Sequence, residues 1–206
     1  MAIDTNTAEK QKGFDLIPNG TIAPVVLNLR GLKDTRNGDG TMLDCEYTVS
    51  GGDFSTRKIW ELSMIKGNGS EGHTTAVDIT MSRLRAFLES AFNIESDDEG
   101  EEAQAARIIE DWTDIDGLEV LAKIGIEKSK DSQYPDKNRI VAFVGPDAKD
   151  YEEFSGDWVE QNARKLRANQ KGGNVGTAAK PAAKKPAGKA DAAPAAASAT
   201  KPKWRK

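Results

Sequence analysis

The spacing of apolar residues changes along this chain, and that change most constrains its fold. From Leu43 to Val49 apolar and polar residues alternate, and from Leu118 to Ile126 every second residue is apolar. This is the period of a half-buried β-strand. Between these stretches, from Thr74 to Phe92, apolar residues recur every three or four positions, which is the period of an amphipathic helix. The helix is therefore predicted to separate, in sequence, two parts of one β-structure.

Three more segments are predicted to be strands. Residues 21–30, 57–65 and 139–144 carry many β-branched and aliphatic side chains. The turn residues of 33–40 and the pair Gly51-Gly52 favour reversals between the first three strands. Three strands, a helix and two strands is the element order of an OB-fold, although other small α+β sheets share it. We therefore expect a mainly β, α+β protein: a five-stranded OB-fold-like barrel with a helix between strands three and four.

Charge is divided unevenly along the chain. Residues 1–162 hold 17 Lys/Arg and 32 Asp/Glu, a net charge of −15, whereas residues 163–206 hold 12 Lys/Arg and only Asp191, a net charge of +11. The overall net charge of −4 conceals this contrast. A strongly basic tail indicates a polyanionic partner or the acidic surface of the protein itself.

Several short motifs occur in a characteristic order between residues 14 and 145. They are Ile17-Pro18-Asn19-Gly20, a polar loop before Met42-Leu43, Arg57-Lys58-Ile59-Trp60, Gly117-Leu118-Glu119-Val120, and Tyr134 with Lys137-Asn138-Arg139. Together with the basic end at 201–206, they resemble a family of phage-encoded proteins long catalogued as a domain of unknown function. The resemblance implies an OB-fold protein that binds single-stranded DNA. Bacterial single-strand binding proteins end in an acidic tip that recruits partner enzymes, and the basic end here puts such recruitment in doubt.

Single-strand binding needs cations for phosphates and aromatic faces for bases. Trp60 and Tyr134 are the stacking candidates; Trp60 alternates with Leu62 and Met64, so a place in the core is an equal alternative. The candidate cations lie in loops and at strand ends. The predicted nucleic-acid-binding residues are Arg30, Lys33, Arg36, Arg57, Lys58, Trp60, Lys123, Lys128, Lys130, Tyr134, Lys137 and Arg139.

The chain is predicted to divide into four parts. They are a flexible N-terminus at 1–13, the nucleic-acid-binding domain at 14–150 with an acidic insertion at 95–116, a C-terminal helix at 151–170, and a disordered Lys/Ala/Pro-rich tail at 171–206. Ten carboxylates lie together in this one insertion. Their negative charge is therefore expected to lie away from the binding surface. The tail is expected to bind phosphates or to fold over the empty groove or the acidic loop.

No enzymatic activity, cofactor or metal site is expected. Cys45 is predicted to be a core residue, and His73, between turn signals and without a second histidine, to be a solvated loop residue. A nuclease would need carboxylates for metal ions, and Asp39, Asp44 and Glu46 are the candidates that the sequence offers for this alternative. Asp44 and Glu46 lie at the polar positions of an alternating strand, where exposed carboxylates are ordinary.

The expected function is sequence-nonspecific binding of single-stranded DNA, protecting exposed strands during phage DNA replication or recombination. The chain has no apolar run of 18 residues and no secretory signal, so a host cytoplasmic location is expected. The alternative is a phage structural or assembly protein that contacts DNA or an acidic partner through its tail. Homo-oligomerisation, replication or recombination partners, and preference for DNA over RNA are left open.

Overall fold

The computed structural model describes residues 15–131, 133–149, 151 and 158–172. Three strands, a long helix and two further strands follow one another in the predicted order. The elements are β1 (Thr21–Asp34), β2 (Thr41–Val49), β3 (Lys58–Lys66), α1 (Glu71–Phe92), α2 (Glu101–Ala106), a 3₁₀ turn (Trp112–Ile115), β4 (Glu119–Glu127), β5 (Lys137–Val144) and α3 (Trp158–Gly172). The chain divides into the units Met1–Asn174 and Val175–Lys206, and the second lies outside the described residues. The predictions for 1–13 and for most of the tail at 171–206 also lie outside them.

The five strands form one antiparallel sheet in the order β3-β2-β1-β4-β5. This confirms the expected α+β class and the five-stranded sheet. β1 lies at the centre because it is long enough to pair with β2 along one part and with β4 along another. A bulge between Leu29 and Gly31 shifts its register against β2, and Gly31 has a φ of 126°, which a side-chain-bearing residue rarely adopts.

The expected closed barrel is wrong. Cα atoms of the edge strands β3 and β5 approach within 8 Å, yet the sheet ends at both strands without a ladder between them. The Arg83 guanidinium of α1 occupies the gap, donating to the backbone carbonyls of Ile140 and Val141 and pairing with Glu61 of β3. Because a side chain satisfies these β5 carbonyls, the sheet curls but stays open along this seam.

The core lies between the inner face of the sheet and α1. Val25, Leu27, Leu43 and Tyr47 are buried on the sheet, and Phe87 is buried on the helix. Phe143 of β5 completes this packing, with its ring edge-on to Phe87 at a centroid distance of 5.2 Å. The predicted core position of Cys45 is confirmed, since only 2% of the residue is exposed.

The N-terminal part of α1 differs from the prediction. The helix begins at Glu71, so His73 is a half-buried residue of its first turn and not a solvated loop residue. Nδ1 of His73 accepts a hydrogen bond from the backbone N–H of Asn68 at 3.1 Å. A Cβ at Gly67 would collide with His73, so glycine permits this close approach.

A buried amide on α3 bonds this helix to two other elements of the domain. Asn162 is fully buried and accepts from the backbone N–H of Glu119 while donating to the carbonyls of Glu119 and Ala91. These bonds tie α3 to β4 and to the end of α1. Within the described residues, no helix combines the length and apolar character needed to cross a bilayer.

Candidate nucleic-acid interface

A groove of about 980 Å³ follows the open seam between β3 and β5. One wall is the free edge of β3, the other is the start of β5, and α1 contributes Ile79 and Arg83. We call it the β3–β5 groove. The predicted site residues that line it are Arg57, Lys58, Trp60, Lys137 and Arg139.

The register of the first three strands places the aromatic wall of this groove. Asn28, Glu46 and Trp60 are directly opposite one another on β1, β2 and β3, so they share one face of the sheet. That face points away from the core: Trp60 is 56% exposed, and Leu62, two residues further along β3, is 51% exposed. The structure therefore decides between the two predicted places for Trp60, and the indole is available for contact.

The carboxylate of Glu46 bonds to three polar side chains of this face. Glu46 Oε2 accepts from Trp60 Nε1 at 3.0 Å and from Arg30 Nη1 at 3.3 Å, while Oε1 lies 2.7 Å from Lys58 Nζ. The hydrogen bonds from Lys58 and Trp60, together with the positive charges of Lys58 and Arg30, lower the pKa of Glu46. We call Arg30, Glu46, Lys58 and Trp60 the Glu46 cluster.

The carboxylates of the nuclease alternative are engaged by other partners. Asp44 lies 2.6 Å from Lys33 Nζ, and Glu46 is held as described above. Asp39 accepts from the Thr35 hydroxyl at 2.6 Å, and this bond lowers the pKa of Asp39. Within the described part of the chain, no group of three or more His, Cys, Asp or Glu residues is placed to bind a metal ion.

The sequence prediction missed Arg83. Its Nη2 lies 2.8 Å from Glu61 Oε1, and its guanidinium carbon lies 5.6 Å from the centre of the Phe143 ring. Burial raises the pKa of Glu61, and the charge of Arg83 opposes that shift. A signal was available, because Arg83 lies four residues before Phe87 on the apolar side of the predicted helix, where a charge needs a partner.

The β5 wall carries cations with partners of their own. Lys137 Nζ lies 3.5 Å from Glu127 Oε2. Arg139 is exposed, and its charge reaches Glu61 across the seam. On the β3 side, Arg57 donates to the backbone carbonyl of Asp15 at 2.8 Å.

Besides Arg30 and Lys33, which pair with carboxylates of β2, five predicted site residues are exposed but do not line the groove. Arg36 lies in the β1–β2 loop, and Lys123 lies on β4. Lys128, Lys130 and Tyr134 lie in the β4–β5 loop. Tyr134 is 68% exposed, as expected for a stacking candidate. The structure thus brings together the site residues of β3 and β5, and it leaves these five outside that group.

Charge in the groove is balanced, unlike the cationic track that the sequence suggested. Its described lining holds five cations and five carboxylates: Arg57, Lys58, Arg83, Lys137 and Arg139 against Asp15, Asp44, Glu61, Glu127 and Asp136. The described lining therefore carries no net charge with which to attract a polyanion.

The acidic insertion is fixed away from this surface. Arg107 pairs with Glu89 of α1 at 3.0 Å and donates to the backbone carbonyls of Glu95 and Asp98. No residue of 95–116 lines the groove. The ten carboxylates of the insertion therefore do not add to the carboxylates inside it.

Comparison with known proteins gives no family for this chain. No protein-family model matches it, and no match was found among curated proteins. The resemblance to phage OB-fold proteins therefore stays a prediction from the motifs.

Proposed function

We propose that this protein binds single-stranded DNA without sequence preference, along the β3–β5 groove and the adjoining Glu46 cluster. The observation that carries the proposal is the exposed Trp60 on a wall with Arg57 and Lys58, with Lys137 and Arg139 on the opposite wall. An aromatic platform between cations is the arrangement that single-strand binding uses. A stacking platform favours unpaired bases, because bases inside a duplex already stack on each other.

The fold supports an OB-like assignment within this proposal. The order β3-β2-β1-β4-β5 is that of a five-stranded barrel opened along one seam, and OB-folds are partly open barrels. OB-folds bind oligonucleotides across strands two and three, which here carry Glu46, Lys58 and Trp60. The proposed role is to cover exposed strands during phage DNA replication or recombination.

The basic tail supplies the net positive charge that the groove lacks. Residues 163–206 carry a net charge of +11, and each phosphate neutralised on a single strand adds about 0.7 to the slope of log affinity against log salt. We therefore assign placement of the strand to the groove and much of the long-range attraction to the tail.

Fluorescence anisotropy tests the proposal. Full-length protein is titrated into labelled oligo-dT, oligo-rU and a duplex of equal length, across a salt series without metal. We expect binding of oligo-dT that weakens with salt, weaker binding of the duplex, and quenching of tryptophan fluorescence.

Failure to retain poly-dT even in dilute buffer would exclude this function. A preference for duplex together with assembly into large particles would favour the structural or assembly alternative. In a parallel incubation with Mg²⁺, metal-dependent cleavage of the probe would favour the nuclease.

A further inference from the structure

We propose that Glu46 competes with the phosphates of the bound strand and thereby limits the affinity of the Glu46 cluster. This inference rests on the proposed function and identifies a residue that sets its strength. Arg30 and Lys58 are two cations that a phosphate would contact, and the carboxylate of Glu46 already binds both.

The exposures within the cluster show which partner can leave. The side chains of Arg30 and Lys58 are 53% and 49% exposed, whereas that of Glu46 is 13% exposed. Long exposed cations can turn towards solvent and a phosphate. The carboxylate lies on β2, between β1 and β3, and stays beneath the strand as an uncompensated negative charge.

The two cations are not equally dependent on Glu46. Arg30 also lies 3.8 Å from Asp44, so it keeps a carboxylate partner when Glu46 is neutral. Glu46 is the one ion-pair partner that the structure gives Lys58 among the described residues. Removing the charge of Glu46 should therefore free Lys58 above all, which corresponds to about one further phosphate contact.

Trp60 determines which substitution is informative. Its indole N–H donates to Glu46, and that bond orients the proposed stacking ring. Glu46→Gln keeps an amide oxygen that can accept this bond and removes only the negative charge. The variant therefore separates competition for cations from orientation of the ring.

The test compares full-length wild type, Glu46→Gln and Glu160→Gln in anisotropy titrations with oligo-dT across a salt series. Glu160 is the control, because its substitution also removes one negative charge and breaks an ion pair, with Arg164 on α3, outside the groove. We expect Glu46→Gln to bind about five-fold more tightly at low salt. Its salt slope should steepen by about 0.7, and Glu160→Gln should match wild type.

A Lys58→Gln background then tests the cause. If Glu46 acts by occupying Lys58, most of the gain from Glu46→Gln should vanish there. A gain of undiminished size would overturn the proposal, since it would reflect bulk charge alone.

Two failures are distinguishable. If wild type binds oligo-dT and Glu46→Gln binds no more tightly, the competition is refuted and the proposed function stands. If neither protein binds at low salt, the proposed function falls and the competition falls with it.

Discussion

Trp60 shows what alternation can and cannot reveal at a single residue. Its spacing from Leu62 and Met64 predicts one shared face but does not say which face of the sheet that is. The other face of β3 carries Ile59, which is buried, and Glu61, which pairs with Arg83. Since a half-buried polar residue lies on the inner face, hydropathy alone could not distinguish the two sides.

Removal of the Trp60 ring should weaken DNA binding and leave the fold intact. A stacked base contributes about 1–3 kcal/mol, so Trp60→Ala should lower affinity for oligo-dT by about 5- to 150-fold. Ile108→Ala is the control, because Ile108 is 66% exposed and lies outside the groove. Equal affinities for Trp60→Ala and wild type would remove Trp60 from the interface.

The thiol of Cys45 should be unreactive in the folded protein. Burial raises the pKa of its thiol to about 12, and the thiolate is the reactive form. At pH 8 we expect negligible reaction with a disulfide reagent until denaturant is added, followed by one equivalent of labelling. Rapid labelling of native protein would show that the packing around Cys45 opens readily.

The sequence predicts the buried residues of α1 only in part. Its apolar period predicts the buried Phe87 and Leu88 correctly, yet Ile79 and Met81 on the predicted stripe are exposed. Ile79 lines the β3–β5 groove, so the beginning of the helix flanks a gap and not a closed core. The position of α1 relative to the seam depends on long-range contacts, which local spacing does not encode.

The bridge from Arg83 to Glu61 should contribute measurably to stability. Arg83→Met leaves Glu61 without its guanidinium, and both side chains are about a quarter exposed. We expect a loss of about 2–3 kcal/mol in the free energy of unfolding, below the roughly 3–5 kcal/mol of fully buried pairs. Urea unfolding measures it, and adding Glu61→Gln should recover part of the loss. No recovery would place the effect of Arg83 in its contacts with β5 alone.

Glu61 should also give stability a pH dependence of definite sign. Burial raises its folded pKa above the ordinary 4.5, so the folded protein binds the proton more tightly than the unfolded chain. Its contribution is complete below pH 4.5 and is lost as pH rises through the folded pKa. The pKa values of Asp111 and Asp147 are lowered from 3.8, so these two groups contribute stability that is lost as the pH falls. Their effect on stability has the opposite sign to that of Glu61 and is confined to lower pH.

Urea unfolding between pH 4.5 and 7 checks this sign. Glu61→Gln should flatten the decline in stability over that window, whereas the exposed control Glu160→Gln should keep it. An unchanged decline in Glu61→Gln would assign it to another group.

At the scale of the whole molecule, the sequence predicted the elements and their order better than their assembly. Five strands, the long helix and the pairing of successive strands follow from local periods and turns. Whether the barrel closes cannot be predicted from local periods, because closure requires β3 and β5 to pair across more than 70 residues of sequence. Arg83 bridges the open seam, and this contact can be recognised only after β3, α1 and β5 are placed together.

Deletion of the basic segment 175–206 should show how much of the DNA affinity depends on it. Deleting residues 175–206 removes eight Lys/Arg and one Asp and leaves the unit Met1–Asn174. We expect weaker binding to oligo-dT and a flatter salt slope, by at most about 0.7 for each lost phosphate contact. An unchanged slope would show that the segment takes no part in phosphate binding.

The gap between β3 and β5 also affects how much the molecule can adapt to what it holds. Widening it would break side-chain contacts, among them those of the Arg83 guanidinium, whereas widening a sealed cylinder would break a row of main-chain hydrogen bonds. The width of the channel therefore depends on side chains, and under the proposed function a larger base would not require any strand to unfold.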